Sequence, residues 1–191
     1  FFLSHKKNLA FAMKDQGYEI HVAVPSNHVW APLKFSNSEI TDRGFICHEY
    51  NLSRRGQNIF LEFFSFIQLF YIIFRLKPSI IHLMTIKPII YGGLISKLFP
   101  KTQTVLSVTG LGQAFTEHSL FAKIRRLFIQ KLLKTILKSS LSSLIVQNSD
   151  DFQKIKARKL VEETRISLIK GSGISSNEFP FKKEPKNDVP I

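Results

Sequence analysis

The spacing of apolar positions changes period several times along the chain. Leu3, Leu9, Ala10 and Met13 recur at helical intervals, and Gly17 follows where a helix ends on a left-handed residue. Residues 18–24 alternate and then meet Pro25, which predicts a strand. A short strand is expected at 45–50, followed by the polar loop 53–58. Residues 59–76 form a long apolar run that stops before Pro78. The pattern then predicts a strand at 79–84, a short helix at 88–99 opened by Pro88, and a strand at 102–109. After the turn Gly110-Leu111-Gly112 come a basic helix at 119–140, a strand at 143–147, a polar helix at 149–160 and a last strand at 165–169.

Strands and helices therefore alternate from end to end. That order predicts an α/β fold of βαβ units, with a parallel sheet and helices on both faces. Ligands of such folds gather at the carboxyl ends of the strands. The segments to read for chemistry are thus 53–58, 85–88, 110–118, 148–151 and 171–175.

Composition narrows the classes. The chain has 191 residues, and 44% are apolar, which excludes a disordered polymer. Its one cysteine, Cys47, excludes a disulfide framework and a cysteine-based zinc site, and suits a reducing cytosolic setting. With 27 basic and 14 acidic residues the formal charge is 27 − 14 = +13, which asks for an anionic partner. The 18 phenylalanines turn that expectation away from nucleic acid, toward a lipid surface or a phosphorylated small molecule. The start at Phe1-Phe2-Leu3 and the linker-like stretch 181–191 suggest a piece of a longer protein.

Two helical segments bear on lipid contact. The run 59–76 carries Glu62 and Gln68, and reads as a core or interfacial helix, not a span. In the basic helix, Lys123, Arg126, Gln130, Lys131, Lys134 and Lys138 fall within an arc of about 140° at helical spacing. Phe121, Ile124, Phe128, Ile129, Leu132 and Ile136 lie on the rest of the wheel, and Leu127 and Leu137 intrude into the basic arc. An electrostatic membrane anchor and an ordinary solvated outer face are both open readings.

Few motifs carry chemistry outright. Gly110-Leu111-Gly112-Gln113-Ala114-Phe115 starts like a dinucleotide fingerprint, but Phe115 replaces the third glycine, so a tight turn is the simpler reading. No phosphate-loop lysine motif, HExxH or GxSxG elbow is present. His21, His48 and His82 fall inside expected strands, whereas His5 and His118 fall at loop or helix-start positions open to acid–base work. Arg54, Arg55 and Lys87 each follow an expected strand. They offer two bidentate forks and a point charge for phosphate, or else a solvated basic edge. Asn148 is a further polar candidate at a strand end, and Gly171-Ser172-Gly173 reads as a hinge or a close-approach loop.

Several of these segments occur in a familiar order. They are Phe2-Leu3-Ser4-His5, Arg54-Arg55-Gly56-Gln57-Asn58, His82-Leu83-Met84-Thr85-Ile86-Lys87-Pro88, Tyr91-Gly92, Thr109-Gly110-Leu111-Gly112, Gln147-Asn148-Ser149-Asp150-Asp151 and Gly171-Ser172-Gly173-Ile174. Together they resemble the N-terminal domain of family 4 glycosyltransferases. The branch they resemble adds sugars to polyprenyl-diphosphate-linked intermediates of bacterial surface polysaccharides.

The resemblance implies a Rossmann-like half of a GT-B fold over 1–180, and a linker at 181–191 toward a donor-binding domain. It also implies an opening strand ahead of Phe1, whose place would lie between 18–24 and 79–84. The implied reaction moves a hexosyl or N-acetylhexosaminyl group from a nucleotide-sugar to a lipid-linked or saccharide acceptor. Transfer would retain configuration, without metal or other cofactor, and this half alone would be inactive. Arg54, Arg55 and Lys87 would meet acceptor phosphate, while Thr109, Gly110, Gly112 and Asn148 would shape the pocket. Gly171, Ser172 and Gly173 would form the interdomain loop, and no catalytic residue carries over. The implied location is cytoplasmic, on the inner face of an anionic membrane. The rival expectation is a non-catalytic module that binds membrane surfaces or partners.

Overall fold

A computed structural model describes residues 2–26, 38–52, 58–109 and 120–171. The N-terminal helical segment is two helices, α1 (Phe2–His5) and α2 (Lys7–Asp15). Gly17 follows at φ +88°, the left-handed geometry expected past a helix end, and Tyr18 N–H reaches back to Met13 O at 3.1 Å. The first strand, β1 (His21–Pro25), starts later than the alternation at 18 suggests, because its register with β2 (Ile46–Tyr50) begins at the His21–Ile46 pair. Between them lies α3 (Ser38–Thr41), a single turn with too few residues to leave a periodic signature.

The rest is a regular βα succession. It runs α4 (Ile59–Leu76), β3 (Ile80–Met84), α5 (Ile86–Ser96), β4 (Gln103–Val108), α6 (Leu120–Ile136), β5 (Ser142–Val146), α7 (Ser149–Ala157), a 3-10 turn at Glu163–Arg165 and β6 (Ile166–Leu168). All pairings are parallel, as the alternating pattern predicts. They form two sheets, β1-β2 and β3-β4-β5-β6. Among the described residues no ladder joins β1 to β3, so the two sheets are separate between 18–24 and 79–84.

Helices lie on both faces of the larger sheet. A Cβ on Gly92 of α5 would touch Leu83, so Leu83 faces α5. His82, the neighbour on the strand, faces the other way, and its titration feels Lys6 at the α1–α2 junction. Three apolar clusters result. The largest unites Leu83, Leu106, Leu144 and Val146 of the sheet with Ile89, Leu133, Ile136 and Ile155 of the helices. A second joins Leu3 and Ala10 to Val22 and Phe45. The third sets Tyr50 and Leu52, at the end of β2, against Leu69 and Ile73 of α4 and Ile95 of α5.

The structure rotates α6 relative to the expected arcs. Leu137, assigned by spacing to the basic arc, is buried, while Ile124 and Phe128 are exposed. The α6 residues that pack on the sheet are Ile129, Leu133 and Ile136, one stripe at i, i+4 and i+7. Helix α5 also opens earlier than Pro88 implies, with Pro88 at its third residue, where a missing N–H has no helical partner to lose.

Candidate functional site

Because every ladder is parallel, the carboxyl ends of β2, β3, β4 and β5 mark where ligand chemistry is expected. The densest polar group there joins α4 to α5. Asn58 caps α4, its Oδ1 accepting from Phe60 N–H at 3.0 Å and Leu61 N–H at 3.4 Å. One turn on, Glu62 turns inward and takes two polar groups of α5 that lie four residues apart. Lys87 Nζ donates to Oε1 at 2.5 Å, and the Tyr91 hydroxyl donates to Oε2. The Glu62 and Lys87 side chains are 18% and 28% exposed, so the pair is only partly screened. Burial and the Glu62 carboxylate together push the Tyr91 phenol well above its ordinary value, keeping it a hydrogen-bond donor. Tyr50, at the end of β2, is pushed up to about 12 by burial.

The backbone beneath this cluster is strained. Thr85 joins β3 to α5 at φ 67° and ψ 156°, a region that glycine alone visits readily. Its carbonyl accepts the Ile89 N–H at 3.0 Å and so starts the helix that carries Lys87 and Tyr91. Strained turns of this kind concentrate at functional sites, where the surrounding structure holds them.

The ends of β1 and β2 are also tied. Ser26 Oγ donates to Asn51 Oδ1 at 2.7 Å, and Asn51 N–H donates to Gln68 Oε1 of α4 at 2.8 Å. Glu62 and Gln68, two of the polar residues in the apolar run, thus each have a partner outside α4. The one carboxylate in a mostly apolar helix is the sequence signal that marks Glu62.

The other expected site residues fall as follows. Asn148 caps α7: its Oδ1 accepts from Asp151 N–H at 2.7 Å, and its amide donates to Asp151 Oδ2 at 2.8 Å. Its side chain is therefore engaged in starting a helix. Thr109 is exposed just beyond β4, and Gly171 adopts φ +74° beyond β6. Arg54, Arg55, Gly110, Gly112, Ser172 and Gly173, with His118, lie outside the described residues.

Two histidine groups sit elsewhere. His82 Nε2 lies 2.6 Å from Ser107 Oγ, and burial and nearby Lys6 pull its titration down to about 4. His21 Nδ1 lies 2.9 Å from His48 Nε2, with Glu19 on the far nitrogen of His21 at 2.5 Å. Burial and then His21 lower the His48 value, so His48 favours its neutral form. His5 lies 2.6 Å from Ser4 Oγ through Nδ1. No cluster of three or more metal-ligating side chains occurs among the described residues. A basin lined by Lys134, Lys138, Lys159 and Arg165 lies at the amino ends of β5 and β6, the end opposite the expected ligand edge.

A comparison with curated proteins finds no match. A family description, "glycosyl transferase 4-like", matches residues 2–148, a span that holds β1 to β5 and the whole Glu62–Lys87–Tyr91 cluster. That match covers more than half of the chain, and with the parallel α/β architecture it shows that the chain belongs to the glycosyl transferase 4-like family.

Proposed function

We propose that this chain supplies the acceptor side of a glycosyltransferase that moves a sugar from a nucleotide-sugar to a phosphate-bearing, lipid-linked acceptor, with retention of configuration. The supporting observation is the Glu62–Lys87–Tyr91 cluster at the carboxyl end of β3, above the strained Thr85. Glu62 holds Lys87 and Tyr91 side by side at i and i+4 of α5, giving a cation and a phenol oxygen that can accept a hydrogen bond. Such a pair suits an acceptor phosphate and an adjoining sugar hydroxyl. In this reading Arg54 and Arg55 add bidentate contacts. Thr109, Gly110 and Gly112 floor the pocket, and Gly171, Ser172 and Gly173 link to the donor side. The transferred group is hexosyl or N-acetylhexosaminyl, the acceptor is a polyprenyl-diphosphate sugar of surface polysaccharide assembly, and the enzyme works at the inner face of the membrane.

Acceptor kinetics test this. A charge-assisted bond to phosphate contributes about 1.5–3 kcal/mol, so in the full enzyme, with its donor-binding side present, replacing Arg54 and Arg55 by Ala, or Lys87 by Met, lowers kcat/KM for a diphosphate-linked acceptor roughly tenfold or more. The KM for nucleotide-sugar is expected to hold. Unchanged acceptor kinetics would assign these cations to a solvated edge. One observation favours a second reading, a non-catalytic membrane module: α4 carries a large exposed apolar face. Sugar transfer by the protein with its donor present rejects that module.

A further inference from the structure

Helix α4 is apolar on two opposite sides. Ser65, Leu69 and Ile73 are buried, Leu69 and Ile73 in the cluster under β2 and α5. On the other side Phe60, Phe63, Phe64, Ile67, Tyr71 and Phe74 are exposed by 81, 65, 50, 43, 58 and 50%. At helical spacing these six fall within an arc of about 100°, and they run for roughly 21 Å along the axis. Isolated exposed apolar residues are ordinary, but an unbroken aromatic strip marks a contact surface.

The neighbouring helices say what that surface meets. In the larger sheet successive strands advance in one direction, so right-handed crossovers place α5 and α6 on one face. Helix α4 packs on α5, and α5 packs on α6, so the three form one layer. Exposed Ile124, Leu127 and Phe128 continue the apolar surface on α6, interleaved with exposed Lys123, Lys131 and Lys134. Arg75 and Lys77 are exposed at the carboxyl end of α4. Across all three helices Glu62 is the one acidic residue, and it is turned inward to Lys87 and Tyr91. The surface of these three helices therefore presents aromatic side chains and cations, while α7, which the same crossover rule sets on this face beyond α6, brings an exposed Asp150 at its amino end.

We infer that this layer seats the protein on an anionic bilayer, with the α4 strip inserted at the level of the headgroups and first acyl carbons. Phe and Tyr suit that depth, Lys and Arg bind the anionic headgroups, and a monotopic helix lies in the plane of the membrane. A second copy is a poorer occupant, because a symmetric contact would set the same cations against each other. Crossing the bilayer would strip α4 from β2 and α5 and expose the Glu62–Lys87 pair. The inference rests on the membrane reading proposed above and replaces a purely electrostatic anchor with an inserted aromatic face. It also gives α4 two roles, since the helix that would lie in the lipid carries Glu62 on its inner side.

The test is vesicle binding by the intact protein. Vesicles of phosphatidylcholine alone and of phosphatidylcholine with 30% phosphatidylglycerol, a composition we choose, are compared at low and high salt. Phe60→Ser, Phe63→Ser and Tyr71→Ser are combined in one variant, with circular dichroism to check its fold. Binding to the anionic vesicles is expected to fall at least tenfold in the triple variant, and to survive salt in part in the parent. In a Trp30→Phe background, Phe63→Trp fluorescence is expected to be quenched by lipids brominated near the headgroup. If the parent binds, salt removes all binding and the triple variant binds equally, the α4 strip is refuted while the membrane reading stands. If the parent binds neither vesicle, the membrane reading fails with it. A concentration-dependent dimer abolished by the triple variant, with no vesicle binding, would assign the strip to self-association and overturn the inference.

Discussion

His82 shows how a single half-buried side chain ties pH to stability. Its ring shares a 2.6 Å contact with Ser107, which is fully buried, and both burial and Lys6 disfavour the imidazolium. The folded value of about 4 lies below the ordinary value near 6.5. Above pH 6.5 both folded and unfolded chains hold a neutral ring, and the contribution to stability is complete. As pH falls from 6.5 toward 4 the unfolded chain takes up a proton that the folded chain does not, so stability declines across that window. Urea unfolding at pH 7, 6 and 5 should show a steeper decline in the parent than in His82→Asn. Imidazole resonances should place the midpoint near 4; a midpoint near 6.5 would remove His82 from the account. At this scale the sequence exposed positions better than partners. Lys87 was legible because it follows a strand, whereas its Glu62 partner, 25 residues earlier, is brought in by helix packing. Asn148 read as a polar candidate at a strand end, yet the same residue type at the same place is also the best helix cap, and the structure shows that use.

Among the elements, α5 depends on two adjacent glycines. A Cβ on Gly92 would stand 2.4 Å from Leu83 Cδ2, and one on Gly93 would stand 2.7 Å from Ile136 Cδ1. The helix can therefore press against both β3 and α6 only without side chains at these points. Ile136 is fully buried, so it has little room to yield. Gly93→Ala should destabilise the fold by about 1–3 kcal/mol through overpacking, despite the better helix propensity of Ala. Ile136→Val removes the methyl nearest the new Cβ and should restore part of that loss. Denaturant titration of the two single variants and the double checks this, since simple additivity would mean the pair does not meet in the way described. The order and type of the long elements were legible because their apolar periods are clear. The break between α1 and α2 and the single turn of α3 were not, because each is shorter than the window in which a period can be counted. The facing of α6 is not legible for a different reason. Both of its sides carry large apolar residues, so the wheel alone does not reveal which stripe meets the sheet.

For the molecule as a whole, the issue is how two separate sheets act as one body. The β1-β2 ribbon has its own small cluster with α1 and α2, and the four-stranded sheet has the large one. A two-stranded ribbon is marginal by itself, so it must draw stability from its neighbours. The third cluster supplies that link, with Tyr50 and Leu52 from the end of β2 set against Leu69 and Ile73 of α4 and Ile95 of α5. Helix α4 is thus the clasp between the halves as well as the carrier of Glu62. Ile73→Ala should remove about 2–5 kcal/mol, the range for emptying a buried aliphatic site. Leu144→Ala, in the large cluster, should cost a similar amount. The two variants differ in where the loss is felt. Opening the clasp should let the ribbon exchange by local unfolding, so amide protection at 46–50 falls far more than at 103–108. In Leu144→Ala protection should fall in both regions together. Native-state hydrogen exchange reads this directly. Equal loss in the two regions for Ile73→Ala would mean that the ribbon and the sheet unfold as a single unit, and that the third cluster is ordinary core and not a clasp.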